Sequence, residues 1–542
     1  MARNISSRDV LHVLAPFVQQ NGGDLQRLSL SQSTIQRHKK KAAMAGSALH
    51  REKVFEAVAN TDLPVIGLFD GKTIKEITHG DHLKKERLGI LCSIEGETYL
   101  LGIPAISSSA GEHQLIALTN IFEEFGIMEK IAGVVVDTTG SNTGPIKGSV
   151  SRLEKEKGEA LLLLACRRHV NERHIFHFWE NVTMAARTTS PSNPMFVKLL
   201  KNWNDIRANI DSNNLNKLEL QAEGFLKDQA EAAISFYKKV LQDEVFDRDE
   251  YKEMAELGFM ILDQTQAYKI YRPCEPNSAR FLNSGLNYQK LFLLMNQFPN
   301  LVSKDELPEV NAMAEFSSIF YGVWFLSSSL ASAAPANDIH SVWQMRQYSQ
   351  QSSAKVSVAA KRVEKSILDH SWYMEEDLIP LSLLDKNLSD VVKEMLASAL
   401  VATKVPDAFP PRNRNKLPQV TSKARFDQIF PPSVCNFVGS YSWLIFKKLG
   451  MTDENSTIWM KMKALNWQKH NDFLRFKRFC EGIPVVNDAS ERSVQLMSNY
   501  INNVHSEDDR QDLVLATSHY RDLMRGKSLK SDIASAYANK LF

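Results

Sequence analysis

Residues 131–144 read IAGVVVDTTGSNTG. The six residues from Ile131 to Val136 form an uninterrupted apolar run, as expected of a strand covered on both faces. Asp137 closes it. Upstream, Leu63–Asp70 (LPVIGLFD) is another strand-like run ending in an acid, and Arg87–Ile94 and Thr98–Ile103 continue with β-branched and apolar residues. Before Ile131, Glu112–Gly126 has helical periodicity through Leu115, Leu118, Ile121 and Phe122. Downstream come a short helix near Lys147–Lys157, an apolar run at Leu161–Ala165 and a helix from about Cys166. The order is three strands, helix, strand, helix, strand, helix. The first three strands are close enough in sequence for an antiparallel meander, whereas the later ones need parallel crossovers. This predicts an α/β core over residues 61–180 on a mixed sheet of about five strands.

Outside that core the strands vanish. Residues 1–60 read as an N-terminal helical segment. Within Asp24–Ala43 (DLQRLSLSQSTIQRHKKKAA) the pattern predicts a helix, a turn and a second helix opening at Ser31 or Ser33 as N-cap. Arg37, Lys39, Lys40 and Lys41 follow on the second helix, where a helix-turn-helix would set them against phosphates. A solvated, lysine-rich helix end or a nuclear-import patch is the alternative. Residues 181–470 predict a large all-α insertion domain, with helices at Lys217–Phe246, Tyr251–Leu262, Asn287–Gln297, Ala312–Leu330, Ser341–Asp369 and Leu378–Val401. The Pro-rich, basic Lys404–Gln419 reads as a loop or linker. Pro484–Phe542 returns to amphipathic helix, and residues 471–542 supply the last part of the core.

Bulk properties bound the rest. A chain of 542 residues is too long for one hydrophobic core, which predicts roughly two to four domains. Lys plus Arg (65) nearly balances Asp plus Glu (63), so any basic surface must be local. The five cysteines are scattered and form no Cys-x-x-Cys pair, which argues for a reducing compartment and against an ordinary zinc finger. The first residues lack the apolar stretch of a signal peptide, and no segment approaches the roughly 20 apolar residues of a membrane span. An intracellular protein without a membrane partner is expected.

Three acids are candidates for chemistry, each with a plainer reading. Asp70 precedes Gly71, and Asp-Gly is a common hairpin turn. Asp137 stands at the carboxyl end of a strand, where open α/β sheets bind ligands, although an N-cap or loop aspartate has the same sequence. Glu491 follows Asp488 by three residues, the spacing of a capping box. Together the three would offer carboxylate oxygens to Mg²⁺, a hard cation that keeps water and substrate phosphate in its shell. Two such ions about 3.5–4 Å apart activate a water or a 3′-hydroxyl and stabilise the leaving oxygen of an in-line displacement.

The chain resembles the hAT superfamily of DDE transposases. The resemblance rests on Asp70 closing the first strand, Asp137 closing the fourth in VVVDTTGSNTG, Cys166 and His169 as Cys-x-x-His after the fifth, and Ala489-Ser490-Glu491-Arg492 on a late helix. Glu491 comes 354 positions after Asp137, in keeping with the helical insertion between the second and third acids of that superfamily. The resemblance implies an RNase H-like core with Asp70, Asp137 and Glu491 as ligands of Mg²⁺ (or Mn²⁺). It implies cut-and-paste DNA transposition: binding of terminal inverted repeats in double-stranded DNA, cleavage, and strand transfer into target DNA, by a homo-oligomer of at least two protomers in the nucleus. Cys166 and His169 would lie beside the site, with His169 near the scissile phosphate. Arg167, Arg168 and Arg173 are candidate phosphate contacts, with a solvated helix face as the alternative. Trp324 and Trp343 are candidates to stack a flipped base, an interaction worth about 1–3 kcal/mol, with a buried helix tryptophan as the alternative for each. His174 and His177 follow Cys166 and His169 closely enough for a structural zinc reading. The sequence shows no BED-type zinc finger, so recognition of DNA ends is expected to fall to residues 1–60 or to the insertion, or else a finger has been lost or omitted.

Three other readings compete. One is a domesticated transposase-derived protein that binds DNA without cutting it. Another is an RNase H-like nuclease without strand transfer. The last treats DTTGSNTG as a phosphate loop, but its glycines at 140, 144 and 148 and Lys147 do not follow the G-x-x-x-x-G-K-[ST] order.

Overall fold

The computed structural model describes residues 7–24, 31–78, 81–183, 193–274, 281–412, 426, 432–500 and 506–524. Six strands form one sheet: β1 Val65–Thr78, β2 Asp81–Ile94, β3 Glu97–Gly102, β4 Ala105–Ile106, β5 Ile131–Val136 and β6 Leu162–Ala165. Their order is β3-β2-β1-β5-β6, with β4 paired to β2. The first three strands are antiparallel, β5 lies parallel to β1, and β6 parallel to β5. A two-residue turn at Glu95 and Gly96, both at positive φ (51° and 87°), joins β2 to β3 with a twist that suits a hairpin. β5 and β6 are buried at every position, which is why their sequences do not alternate. Burying each such Val or Leu stabilises the core by about 1.5–3 kcal/mol.

Helix α1 spans Ser7–Gln20 and α2 Gln32–Asn60. Helix α3 (Gly111–Glu124) leads into β5; α4 (Gly140–Thr143) and α5 (Ser149–Lys157) connect β5 to β6; α6 (Arg167–Val182) leaves β6. The meander and the two crossovers follow the sequence order, and the chain is mixed α/β. The sixth strand, β4, is two residues long and carries no readable pattern.

β1 and β2 run further than their hydrophobic pattern. The pattern stops β1 at Asp70 and starts β2 at Arg87, yet pairing continues as far as Thr78 opposite Asp81. In this added arm Glu76 and Arg87 are fully buried and bonded at 2.8 Å. Glu507 and Arg510, from the Glu507–Met524 helix, complete the cluster at 2.7 and 3.1 Å. Buried ions that satisfy one another replace apolar side chains here, so the period-2 signal fails. Asp70-Gly71 is therefore mid-strand, opposite Gly89 and Leu88, and the hairpin-turn reading of this pair is corrected.

At the N-terminus, Ser31 caps α2, its Oγ accepting from the Thr34 amide at 3.1 Å. The short helix expected just before it falls largely on residues 25–30, outside the described residues. α2 is a 29-residue rod lying parallel to the Glu507–Met524 helix, with Lys40–Asp509 at 2.9 Å and Lys53–Asp522 at 3.3 Å. A Cβ on Gly46 would meet Ala516 and Tyr520 at 2.9 Å, so the two helices touch backbone to side chain.

The insertion is helical as expected, with three corrections. Only Phe225–Asp243 of the stretch Lys217–Phe246 is helical, starting after Gly224 at φ +115°. Ser341–Asp369 is two helices, Ala334–Gln351 and Ala354–Asp369, divided at Ser352 and Ser353, both of which have extended backbone. Leu378–Val401 is a 3-10 turn at Ile379–Leu384, begun by Pro380, and a helix Asp390–Ala402 capped by Ser389. Residues 413–419 of the expected linker and 525–542 of the expected terminal helix lie outside the described residues. No described helix is long and apolar enough to cross a membrane.

Candidate active site at the strand ends

The β1–β5 ladder runs in register through Leu68 and Val135. Two residues further along each chain stand Asp70 and Asp137, on the same face because side chains alternate with period 2. Burial first, and the Asp137 charge second, push the Asp70 carboxyl up from 3.8 to about 6; His169, the Gly71 amide and Lys72 oppose that rise. Asp137 is half-buried. Its Oδ1 accepts from the Thr139 amide (3.2 Å), the Thr139 hydroxyl (2.8 Å) and the Asn142 side-chain amide. The loop-aspartate reading thus accounts for one oxygen. Among the described residues nothing donates to Oδ2.

The third wall is the β6–α6 junction. The Cys166 amide donates to the Val136 carbonyl at 2.7 Å, which sets the start of α6 beside Asp137. The Cys166 Sγ accepts from the Asn487 amide at 3.2 Å and lies close enough to the His169 ring to influence its titration. Burial would lower the His169 pKa, but Cys166, Glu172 and Asp70 outweigh it and raise it to about 10. Asp70, Asp137, Cys166 and His169 are therefore brought together.

Glu491 arrives on the Asp488–Tyr500 helix, whose first turn is fastened to the sheet. The Asn487 side-chain amide donates to the Phe69 carbonyl at 2.7 Å. Gly89, opposite Asp70, admits the helix: a Cβ there would meet Ser493 Oγ at 2.5 Å, Val494 at 2.8 Å and the Ser490 carbonyl at 3.1 Å. The capping-box reading fails, because the helix begins at Asp488 and the Glu491 amide bonds to the Asn487 carbonyl. Asp488 is instead the buried hub of an ion cluster, accepting from Arg168 and from the Tyr251 hydroxyl (2.8 Å). Arg168 also reaches Asp247 at 2.9 Å, and Arg248 Nη2 bonds Glu491 Oε2 at 3.2 Å. Asp488, Asp247, Arg248 and Tyr251 were not legible as a group, since about 240 residues separate the two halves of the cluster.

The remaining candidates divide by burial. Arg167 is 4% exposed, bonded to Asp338 at 2.6 Å and set over the Tyr373 ring. Arg168 is 5% exposed. Neither lies on a solvated face, and both guanidinium groups are already neutralised. Arg173 is exposed and lies over Phe176. Trp324 is buried, its Nε1 donating to Gln344 at 2.9 Å, so no base reaches its ring in this conformation. Trp343 is half-buried, with its ring stacked on His340 and edge-on to Phe225. On α2, Lys40 is paired to Asp509 and Lys39 is half-buried, while Arg37 and Lys41 are exposed. His174 is buried and bonded to Ser366, which gives the structural zinc reading no support.

Among the described residues no group of three or more His, Cys, Asp or Glu side chains is arranged to hold a metal ion. The Asp70–Asp137 pair nevertheless suits a divalent cation: the two carboxylates repel each other, Asp70 is raised despite His169 and Lys72, and among the described residues one Asp137 oxygen receives no hydrogen bond. Glu491, engaged by Arg248, does not complete the set in this conformation. No protein-family model matches the chain, and no curated protein matches it.

Proposed function

We propose that the protein is a hAT-like DNA transposase with an RNase H-like core that cuts transposon ends and transfers their strands to target DNA. The observation carrying this reading is the juxtaposition of Asp70 and Asp137 at adjoining strand positions, with burial and like charge raising Asp70 to about 6. The strand order β3-β2-β1-β5-β6 and the return of a late helix onto β1 and β2 support the same core. Asp70 and Asp137, joined by Glu491 once it leaves Arg248, would hold Mg²⁺ or Mn²⁺. Such an ion supplies Lewis acidity and lowers the pKa of a bound water or hydroxyl.

The chain's own residues do the rest. The His169 ring, raised in pKa beside Asp70, would face the phosphate, Asn487 holds the Glu491 helix to β1, and exposed Arg173 would offer a bidentate phosphate contact. In the displacement a water or 3′-hydroxyl oxygen forms a bond to phosphorus as the P–O3′ bond breaks, and the leaving oxygen gains a proton. Nuclear location, duplex DNA with terminal inverted repeats as partner, and assembly of at least two protomers belong to the same proposal. Metal-dependent cleavage of duplex end DNA tests it: Asp137→Ala should abolish cleavage while retaining the fold. Unchanged cleavage by that variant refutes the assignment.

The second reading, a DNA-binding descendant that no longer cuts, is favoured by the Arg248–Glu491 bond and by the neutralised Arg167 and Arg168. It predicts end binding without metal-dependent cleavage in the wild-type chain. A nuclease without strand transfer would cut but yield no joined product.

A further inference from the structure

We infer that Arg248 is a positioning residue that keeps the Glu491 carboxylate away from the Asp70–Asp137 pair until a divalent cation competes for it. The inference rests on the function proposed above and deepens it. Two acids share the first turn of the Asp488–Tyr500 helix, and they are held differently. Asp488 is 4% exposed and fixed by Arg168 and Tyr251. Glu491 is 28% exposed, and its bond to Arg248 uses one guanidinium nitrogen at 3.2 Å. The Arg248 Nε stands 3.9 Å from Asp488 and makes no hydrogen bond, so this guanidinium is not locked into a fork. The Arg248 and Glu491 side chains are 22% and 28% exposed, so water competes for this ion pair.

Placement brings the Glu491 turn onto the strands that carry Asp70. Asn487 touches the residue before Asp70, and Glu491 lies one turn on, along the same helix face. The Ser490 and Ser493 side of that turn closes on Gly89, the partner of Asp70 in the ladder. Without a cation, Asp70 and Asp137 repel a third carboxylate and Arg248 is the better partner. With a divalent ion between the two aspartates the sign reverses, and Arg248 keeps Asp488 as its neighbouring acid.

Mn²⁺ binding to the full chain without DNA, read from the free-ion electron paramagnetic resonance signal, tests this with a double-mutant cycle. Arg248→Ala should tighten Mn²⁺ binding by about 5–10-fold, the low end of typical coupling between sites. In a Glu491→Gln background the same substitution should change it by less than about twofold. Arg248→Lys, which keeps the charge, should fall between wild type and Arg248→Ala. Lys72→Ala, beside Asp70, serves as the control for simple loss of positive charge and should act equally in both backgrounds. Equal effects of Arg248→Ala with and without Glu491 overturn the inference, as does weakened binding. If Asp137→Asn leaves Mn²⁺ binding untouched, the cation site itself fails and the positioning role fails with it. If Asp137→Asn weakens binding but the cycle is additive, only the role of Arg248 falls.

Discussion

Replacing Asp70 by asparagine should stabilise the protein at neutral pH and leave it unchanged in acid. The structure holds this carboxyl largely buried and beside Asp137, so its folded pKa stands near 6 against an ordinary 3.8. A raised carboxyl pKa means that the folded state binds the proton more tightly than the unfolded chain. Stability is then greatest below pH 3.8, is lost as pH rises through the window from 3.8 to 6, and stays low above it. The full penalty is about 3 kcal/mol, an upper bound because the group keeps some contact with water. The isosteric amide escapes it. For a chain of this length that corresponds to a gain of about 1 °C per kcal/mol, or about 2–3 °C in Tm. The assay is thermal unfolding of wild type and Asp70→Asn from pH 4 to 7.5 with a chelator present. The gap should open across the window and plateau near neutrality. Adding Mn²⁺ at pH 7.5 should raise the wild-type Tm and close the gap, because an ion held by Asp70 binds only the folded, ionised form. A variant no more stable than wild type at pH 7.5, or a gap that persists undiminished at pH 4, would refute the argument.

Two further outcomes follow from burial. Arg168→Ala removes the closest cation from buried Asp488 and should cost about 3–5 kcal/mol in denaturant unfolding; adding Asp488→Asn should recover part of that loss. Trp324→Ala should cost about 3–5 kcal/mol as a core deletion, whereas Trp343→Ala should cost much less and is the variant expected to weaken base stacking, read by 2-aminopurine fluorescence in end DNA.

The parts of the fold legible in the sequence are those written in apolar residues. β5 and β6 are unbroken runs, α3 keeps its 3.6-residue period, and Ser31 announces α2 by its oxygen. What escaped was written in charge. The arm beyond Asp70 and Arg87 is held by Glu76, Arg87, Glu507 and Arg510, and nothing in a hydrophobic pattern marks four ions that cancel in space. The same blindness covers α6. Arg167 and Arg168 read as a basic surface because sequence shows their charge but hides Asp338, Asp247 and Asp488, which approach from other helices. For the site, the apolar runs located Asp70 and Asp137, since each run stops at its acid and the two runs pair in parallel register, although β1 itself continues past Asp70. Glu491 could be found as a residue but its company could not, because an ion-pair partner has no spacing rule when it lies on another helix.

The pairing of α2 with the Glu507–Met524 helix has a bearing on how the protein comes into being. A ribosome delivers the sheet early, whereas its clasp and the helix bearing Glu491 emerge only after the whole insertion has been made. Contacts bridging 469 positions are among the slowest to form. Until then α2 exposes the seam around Gly46, a surface open to chaperones or to a neighbouring nascent chain. Newly made molecules would pass through an interval in which Asp70 and Asp137 are in place and Glu491 has yet to be translated.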